Sequence, residues 1–247
     1  MKRRILAAVA LSLVGSAGWA AAAELKVYST IGVQAALEEL TPKFEQASGH
    51  KLVITWNTAA VLTRRLQAGE TADVVVLTRA SLDTLAKEGK AAAEPTFASS
   101  GMGLVVKKGA ARPDISSADA FKRTLLHAAT IAYSDPAHGG ASGVYLSKLL
   151  ERMGIAEQVK AKTKHPPQGG NAAILVANGE AALAIQQVPE VISVAGVDFV
   201  GELPADLNNV TTYAASAVPG TKQRTARRRW SSSCTRPRRP RCSRRAA

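Results

Sequence analysis

The chain has 247 residues and carries 32 basic and 19 acidic side chains, a formal charge of +13. That excess sits at the ends. Residues 1–23 hold three basic residues and no acid, and residues 224–247 hold ten arginines and no acid. Without them the body has 19 basic against 19 acidic residues, so the global basicity does not point to a nucleic-acid partner. Both cysteines, Cys234 and Cys242, also lie in the terminal segment, which excludes a disulfide framework or a Cys-type metal site from the body.

The first residues set the compartment. Lys2, Arg3 and Arg4 precede an apolar run from Ile5 to Val14, and small residues follow through Ala23. This is the pattern of a secretory signal peptide over residues 1–23. The run is too short for a membrane span, which needs about 20 apolar residues. The mature chain is therefore expected in the periplasm. At the other end, residues 224–247 break sharply in composition. They read either as a disordered basic arm or as the frameshifted remnant of an Ala-rich amphipathic helix, the reading that codon arithmetic favours.

Between these ends, short β-branched runs alternate with helical stretches, the pattern of an α/β fold with mostly parallel sheets. Leu25 to Ser29 predicts a strand. A helix from about Gly32 follows, with Ala35, Leu37, Leu40 and Phe44 on one stripe, ending before Gly49. Leu52–Trp56 predicts a strand, Val61–Ala68 a helix, and Asp73–Leu77 a buried strand, after which Ser81 caps a further helix. After an Ala-Pro-Ser-rich stretch the pattern restarts with a strand over Gly101–Lys107. Helices are expected over Ser117–Ala128, Gly143–Met153 and Asn171–Asn178. Strands are expected over Thr130–Ser134, Leu183–Gln187, Val197–Val200 and Val210–Ser216. Two such blocks in about 200 residues suit two small lobes.

Catalysis finds little support in the residues. None of the four histidines has H-x-x-x-H spacing, and the turn around Ser142 lacks the second glycine of a nucleophile elbow, because Val144 stands there. No motif requires a cofactor or metal. The stronger pattern is four strand-to-helix turns rich in small and hydroxyl-bearing residues: Ser29–Gly32, Asn57–Ala60, His138–Gly143 and Gln168–Asn171. A helix start offers unpaired N–H groups and a partial positive charge, so each can serve an anion. Each can equally be an ordinary cap; four together point to a shared cleft. Gln186 and Gln187, at the end of a strand, are further candidates. Neutral donors would bind an ionised ligand without burying a lone cation.

Tyr28–Gly32, the L-x-x-x-L-x-A-G-x-x-A-D segment from Leu62 to Asp73, Ser134-Asp135-Pro136 and Ser142–Tyr145 together resemble the bacterial molybdate-binding protein family over about residues 24–221. The resemblance implies a two-lobed periplasmic binding protein fold, each lobe a mostly parallel sheet flanked by helices. Lobe 1 would take residues 24–101 and 203–223, and lobe 2 residues 102–202. It also implies a monomeric, non-enzymatic receptor that closes on an oxyanion such as molybdate or tungstate and hands it to an ABC permease in the inner membrane.

Carried over position by position, the family's ligand contacts fall on Gly32 (with Thr30 near), Ala59 (with Thr58 beside it), Ser142, Gly169 and Gln187. Three of the family's side-chain donors are thus replaced, by Gly32, Ala59 and Gln187, so the cargo reads as a different or broader anion such as an organic acid. The alternative reading is an exported interaction protein that docks on anionic surfaces or nucleic acid through its arginine tail.

Overall fold

The computed structural model describes residues 23–92, 94–167 and 170–220. Residues 1–22 of the signal-peptide segment, Gly169, both cysteines and the arginine tail lie outside them.

The chain begins with β1 (Glu24–Thr30), a 3-10 turn (Ile31–Val33) and α1 (Gln34–Ser48). Then come β2 (Lys51–Asn57), α2 (Ala59–Gln67), β3 (Val74–Thr78), α3 (Arg79–Lys87) and β4 (Thr96–Ser100). The second block holds β5 (Met102–Lys107), α4 (Ala118–His127), β6 (Ile131–Ala132), α5 (Ala141–Arg152), α6 (Ala156–Lys160), β7 (Thr163–Lys164) and α7 (Ala173–Ala177). It continues with β8 (Leu183–Gln187), α8 (Val188–Ile192) and β9 (Val197–Glu202), and the last strand is β10 (Thr211–Ala217).

These strands form two five-stranded sheets, ordered β2-β1-β3-β10-β4 and β7-β6-β8-β5-β9. In each, four strands point one way and one runs against them. The reversed strands are β10, which pairs antiparallel with β3 and β4, and β5, which pairs antiparallel with β8 and β9. Each reversed strand is the one by which the chain enters that sheet from the other.

Both sheets are covered on both faces, which explains the unbroken apolar runs. In β3, Val74 and Val76 enter one core with Leu25, Val27, Leu37 and Phe44. Val75 and Leu77 enter the opposite core with Leu62, Leu66 and Leu85. A strand buried on two sides has no polar alternation to show. The second sheet repeats this: Leu104, Leu183 and Ile185 face α4 and α5, while Val105 and Ala184 face α7.

Several local expectations shift. Leu40, at the edge of its stripe, is 46% exposed, so α1 is anchored by Leu37 and Phe44. α3 begins three residues early: Thr78, not Ser81, is its cap, the Thr78 hydroxyl accepting from the Ser81 N–H at 3.3 Å. α5 begins at Ala141 rather than Gly143. Gly143 instead sits inside its first turn, where the helix presses on the loop after β6. A Cβ there would overlap the Ser134 carbonyl oxygen and lie 2.8 Å from the Ser134 carbonyl carbon. β4, β7, α6 and α8, absent from the sequence reading, are short elements of two to five residues.

Replacing Gly143 by Ala forces a backbone shift at the start of α5. Overpacking of this kind costs about 1–3 kcal/mol, and the obstacle here is backbone rather than a mobile side chain. The variant is expected to unfold at lower denaturant by at least that amount, with an unchanged m-value in urea titration.

Candidate functional site

The carboxyl ends of the parallel strands of the two sheets face each other, the usual place for a ligand in open α/β sheets. Thr30 ends β1, Thr58 follows β2 and Thr78 ends β3 on one side; Ser134, Gln186 and Gln187 approach from the other. Between them is a narrow cleft with an accessible core of about 20 Å³, also lined by Ile31, Ala59, Gly140, Ala141, Ser142, Glu190 and Tyr213. The starts of α2, α3 and α5, helices of 9, 9 and 12 residues, all reach it. Their free N–H groups and dipoles make the cleft electropositive without a cation. No lysine or arginine is among the lining residues, and Glu190 is the one ionisable acid.

The cleft is latched across its mouth. The Thr58 hydroxyl donates to the His138 carbonyl of the opposite side at 2.9 Å and accepts from the Val61 N–H at 3.3 Å. Next to it Gly139, in the left-handed region with φ of 70°, packs so tightly on Ala60 that a Cβ would lie 2.6 Å from the Ala60 methyl. Asp135 carries the turn, accepting from the Ala137 N–H and from His138 Nδ1 at 2.9 and 3.0 Å, and these contacts hold its carboxyl below the usual range.

Of the expected site residues, Thr30, Thr58, Ala59, Ser142 and Gln187 line the cleft together. Their side chains are not equally free. Thr58 is committed to the latch. Gln187 is committed to the hinge: its amide oxygen accepts from the Thr211 hydroxyl at 2.9 Å and its nitrogen donates to the Ser100 and Gly101 carbonyls at 3.0 and 3.1 Å. Gln186, one residue earlier, accepts from the Ala172 N–H at 2.7 Å and so fixes the approach to α7. Ser142 is buried in the first turn of α5 and borders the cleft.

Gly32 does not line the cleft, for a steric reason. A Cβ on it would overlap the Tyr213 hydroxyl oxygen and stand 3.0–3.1 Å from the ring carbons. Tyr213, reaching over from β10, thus occupies the place where a serine side chain on residue 32 would lie. Burial, with the Glu190 carboxyl nearby, pushes its phenol well above the ordinary tyrosine range, so it is a permanent hydroxyl.

The residues that sequence reasoning missed are Thr78, Ser134, Tyr213 and Glu190. Thr78 obeys the same strand-to-helix grammar as the other turns and was hidden by reading Ser81 as the cap. Glu190 carries no local signal beyond the Gln-Gln-Val-Pro-Glu run. It is 8% exposed, its Oε2 is buried with no hydrogen-bond partner among the described residues, and burial raises its pKa to about 8 against a weak opposing pull from Gln186. Among the described residues no group of three His, Cys, Asp or Glu side chains is placed to hold a metal ion.

Two predictions follow from this geometry. Gly32→Ser should displace Tyr213 and lower the melting temperature, and the same substitution should cost much less in a Tyr213→Ala background, as expected for residues in direct contact. The second concerns Glu190, whose neighbours in the adjoining clefts include the titratable Tyr213 and Glu38. Its pKa is raised on folding, so the folded state holds the extra proton. That contribution is fully present below about pH 4.5 and is lost as pH rises through about 8. Between pH 5 and pH 9 the ligand-free protein should therefore lose more stability than Glu190→Gln does, by on the order of a few kcal/mol. Parallel slopes for the two proteins would refute it.

Comparison with known proteins places this architecture. A family model described as bacterial extracellular solute-binding protein matches residues 25–232. A protein of Pseudomonas sp. named aconitate isomerase is 38% identical over 202 residues, covering 78% of this chain and 75% of the relative. The molybdate-binding protein ModA of Escherichia coli (strain K12) is 24% identical over 218 residues, covering 87% of this chain and 84% of the relative. Among solved structures, the periplasmic molybdate-binding protein of Azotobacter vinelandii superposes with a TM-score of 0.70 at 21% identity, over 86% of this chain and 93% of that one. With two helix-flanked sheets facing across a cleft and a family match over most of its length, this chain belongs to the bacterial extracellular solute-binding proteins, with a molybdate-binding-like fold.

Proposed function

We propose that this protein is a periplasmic receptor that captures a small organic polycarboxylate between its two lobes and delivers it to an ABC permease of the inner membrane. The observation that carries the reading is the cleft wall, built of three converging helix starts and neutral hydroxyl and amide groups with no lysine or arginine. Such a wall solvates negative charge without burying a cation.

Three features favour a carboxylate over a tetrahedral oxyanion. Thr58 and Gln187, two positions carried over from the family's oxyanion contacts, have their polar atoms taken up by protein contacts, so the donor set differs from the family's. Ile31 and Glu190 of the inner cleft also border a second, outer groove of about 330 Å³ between α1 and α8, room for an extended ligand. The relative at 38% identity is named for aconitate, a propene tricarboxylate, whereas the relative named for molybdate is 24% identical.

A second reading, turnover of such an acid rather than its transport alone, is supported by one specific observation: a buried carboxyl with one oxygen unpaired, in a cleft otherwise made of neutral donors.

A thermal-shift titration of the full chain separates the cargo classes. trans-Aconitate or citrate at about 100 times Kd is expected to raise the melting temperature by roughly 5–10 °C, with little response to molybdate or sulfate. A response to the oxyanions alone would reassign the cleft to them, and no response to any anion would remove the capture reading.

A further inference from the structure

We propose that Glu190 is the proton-carrying catalytic residue of this cleft, removing a proton from one carbon of a bound unsaturated carboxylate and returning it to another. The proposal rests on the carboxylate reading above and adds the residue and the reaction.

The position of Glu190 supports it. The residue lies where the inner cleft meets the outer groove and borders both. Its main chain is pinned: the Asn171 side-chain amide and the Ser193 hydroxyl both donate to its carbonyl, at 2.6 and 2.8 Å. The side chain is thus aimed from a fixed backbone, with one oxygen buried and unpaired.

A cleft built only to hold an anion gains nothing from this group. Ionised, it repels the ligand and pays desolvation; neutral, it leaves a buried acceptor unsatisfied, which costs about 1–3 kcal/mol. A serine or glutamine would bind better. A carboxyl held near neutrality in its proton affinity is, by contrast, suited to general acid–base work, and burial moves Glu190 into that range.

The reaction is an allylic 1,3-proton shift. The Glu190 carboxylate takes a proton from a methylene flanked by a carbon–carbon double bond and a carboxylate. The C–H bond breaks and an O–H bond forms. The electron pair spreads over the three allylic carbons and into the flanking carboxylate, whose oxygens face the helix starts and the hydroxyls of the cleft. The same carboxyl then gives its proton to the far allylic carbon, and the double bond moves by one position. Nothing is oxidised or reduced, no atom is gained or lost, and no co-reactant is required. Tyr213, a hydroxyl held protonated beside Glu190, does not compete for the proton.

The test uses the full-length protein with trans-aconitate in deuterium oxide, followed by proton NMR, beside a thermal-shift titration of the same samples. The wild type should exchange the methylene and vinyl protons for deuterium and interconvert the isomers, at a rate that rises with pH through the Glu190 titration. Glu190→Gln should keep its thermal shift but lose exchange by at least about 100-fold, the lower end of what a positioned acid–base group supplies. Glu190→Asp should fall between them. Binding with neither exchange nor isomerisation in the wild type overturns the proposal while sparing the carboxylate reading. Exchange in Glu190→Gln within a few-fold of wild type overturns the assignment of Glu190. Absence of binding in the wild type defeats the cargo reading and this proposal together.

Discussion

The cleft depends on how the chain crosses twice between its two sheets. β5 and β10 each run against the four strands around them, and they leave and re-enter side by side. Gly101 is the point of closest approach, since a Cβ on it would come within 2.7 Å of the Asn208 side chain. Asn208 accepts from the Met102 N–H at 2.8 Å, and Gln187 joins Ser100, Gly101 and Thr211. These bonds lie at the base of the cleft and fix which strand ends face which. Two α/β lobes joined by one strand could meet at many angles. Joined by two antiparallel crossings tied by a buried amide, they are held so that the carboxyl ends of both sheets converge on a single volume.

Within that volume, electrostatics is handled by geometry rather than by ions. Helix starts supply partial charges that cost nothing to bury, because the N–H groups would be orphaned in any case. The exchange of hydroxyls between positions follows the same economy of space. Where residue 32 has no side chain, Tyr213 reaches across from the returning strand and fills the gap with a phenol. The hydroxyl at this place therefore comes from the returning strand β10 and not from the turn after β1. That difference in origin alters the shape offered to the ligand more than its polarity.

How much of this could be read from the sequence differs by residue. The doubly buried strands were legible, because Val74–Thr78 and Leu183–Gln187 are apolar runs bounded by polar turns. The helix-start turns were legible too, since Thr58 and the Gly139–Gly140 pair carry cap chemistry in their residue types. A two-residue strand such as β7 leaves no periodicity to detect, and of the strand expected over Thr130–Ser134 only Ile131–Ala132 forms. Tyr213 and Glu190 join the cleft only through tertiary packing: one sits in the middle of a strand and the other just after a proline, and neither place is marked locally. The spent side chains of Thr58 and Gln187 were likewise invisible. A residue type announces that it can donate a hydrogen bond, not who will receive it.

The latch would serve the proposed capture and the proposed chemistry alike. The Thr58–His138 hydrogen bond and the Gly139–Ala60 contact form only when the two sides meet, so both must break for a ligand to enter or leave. A closed cleft that excludes water strengthens every fixed dipole inside it. For a receptor, this sharpens discrimination among anions; for a carbon acid, it stabilises the delocalised negative charge formed when a proton is removed. The scaffold therefore meets most of the needs of a proton-transfer site merely by being a good anion receptor. What it lacks is one group able to take and return a proton, and among the residues lining the cleft only Glu190 combines burial, an unpaired oxygen and a proton affinity near neutrality.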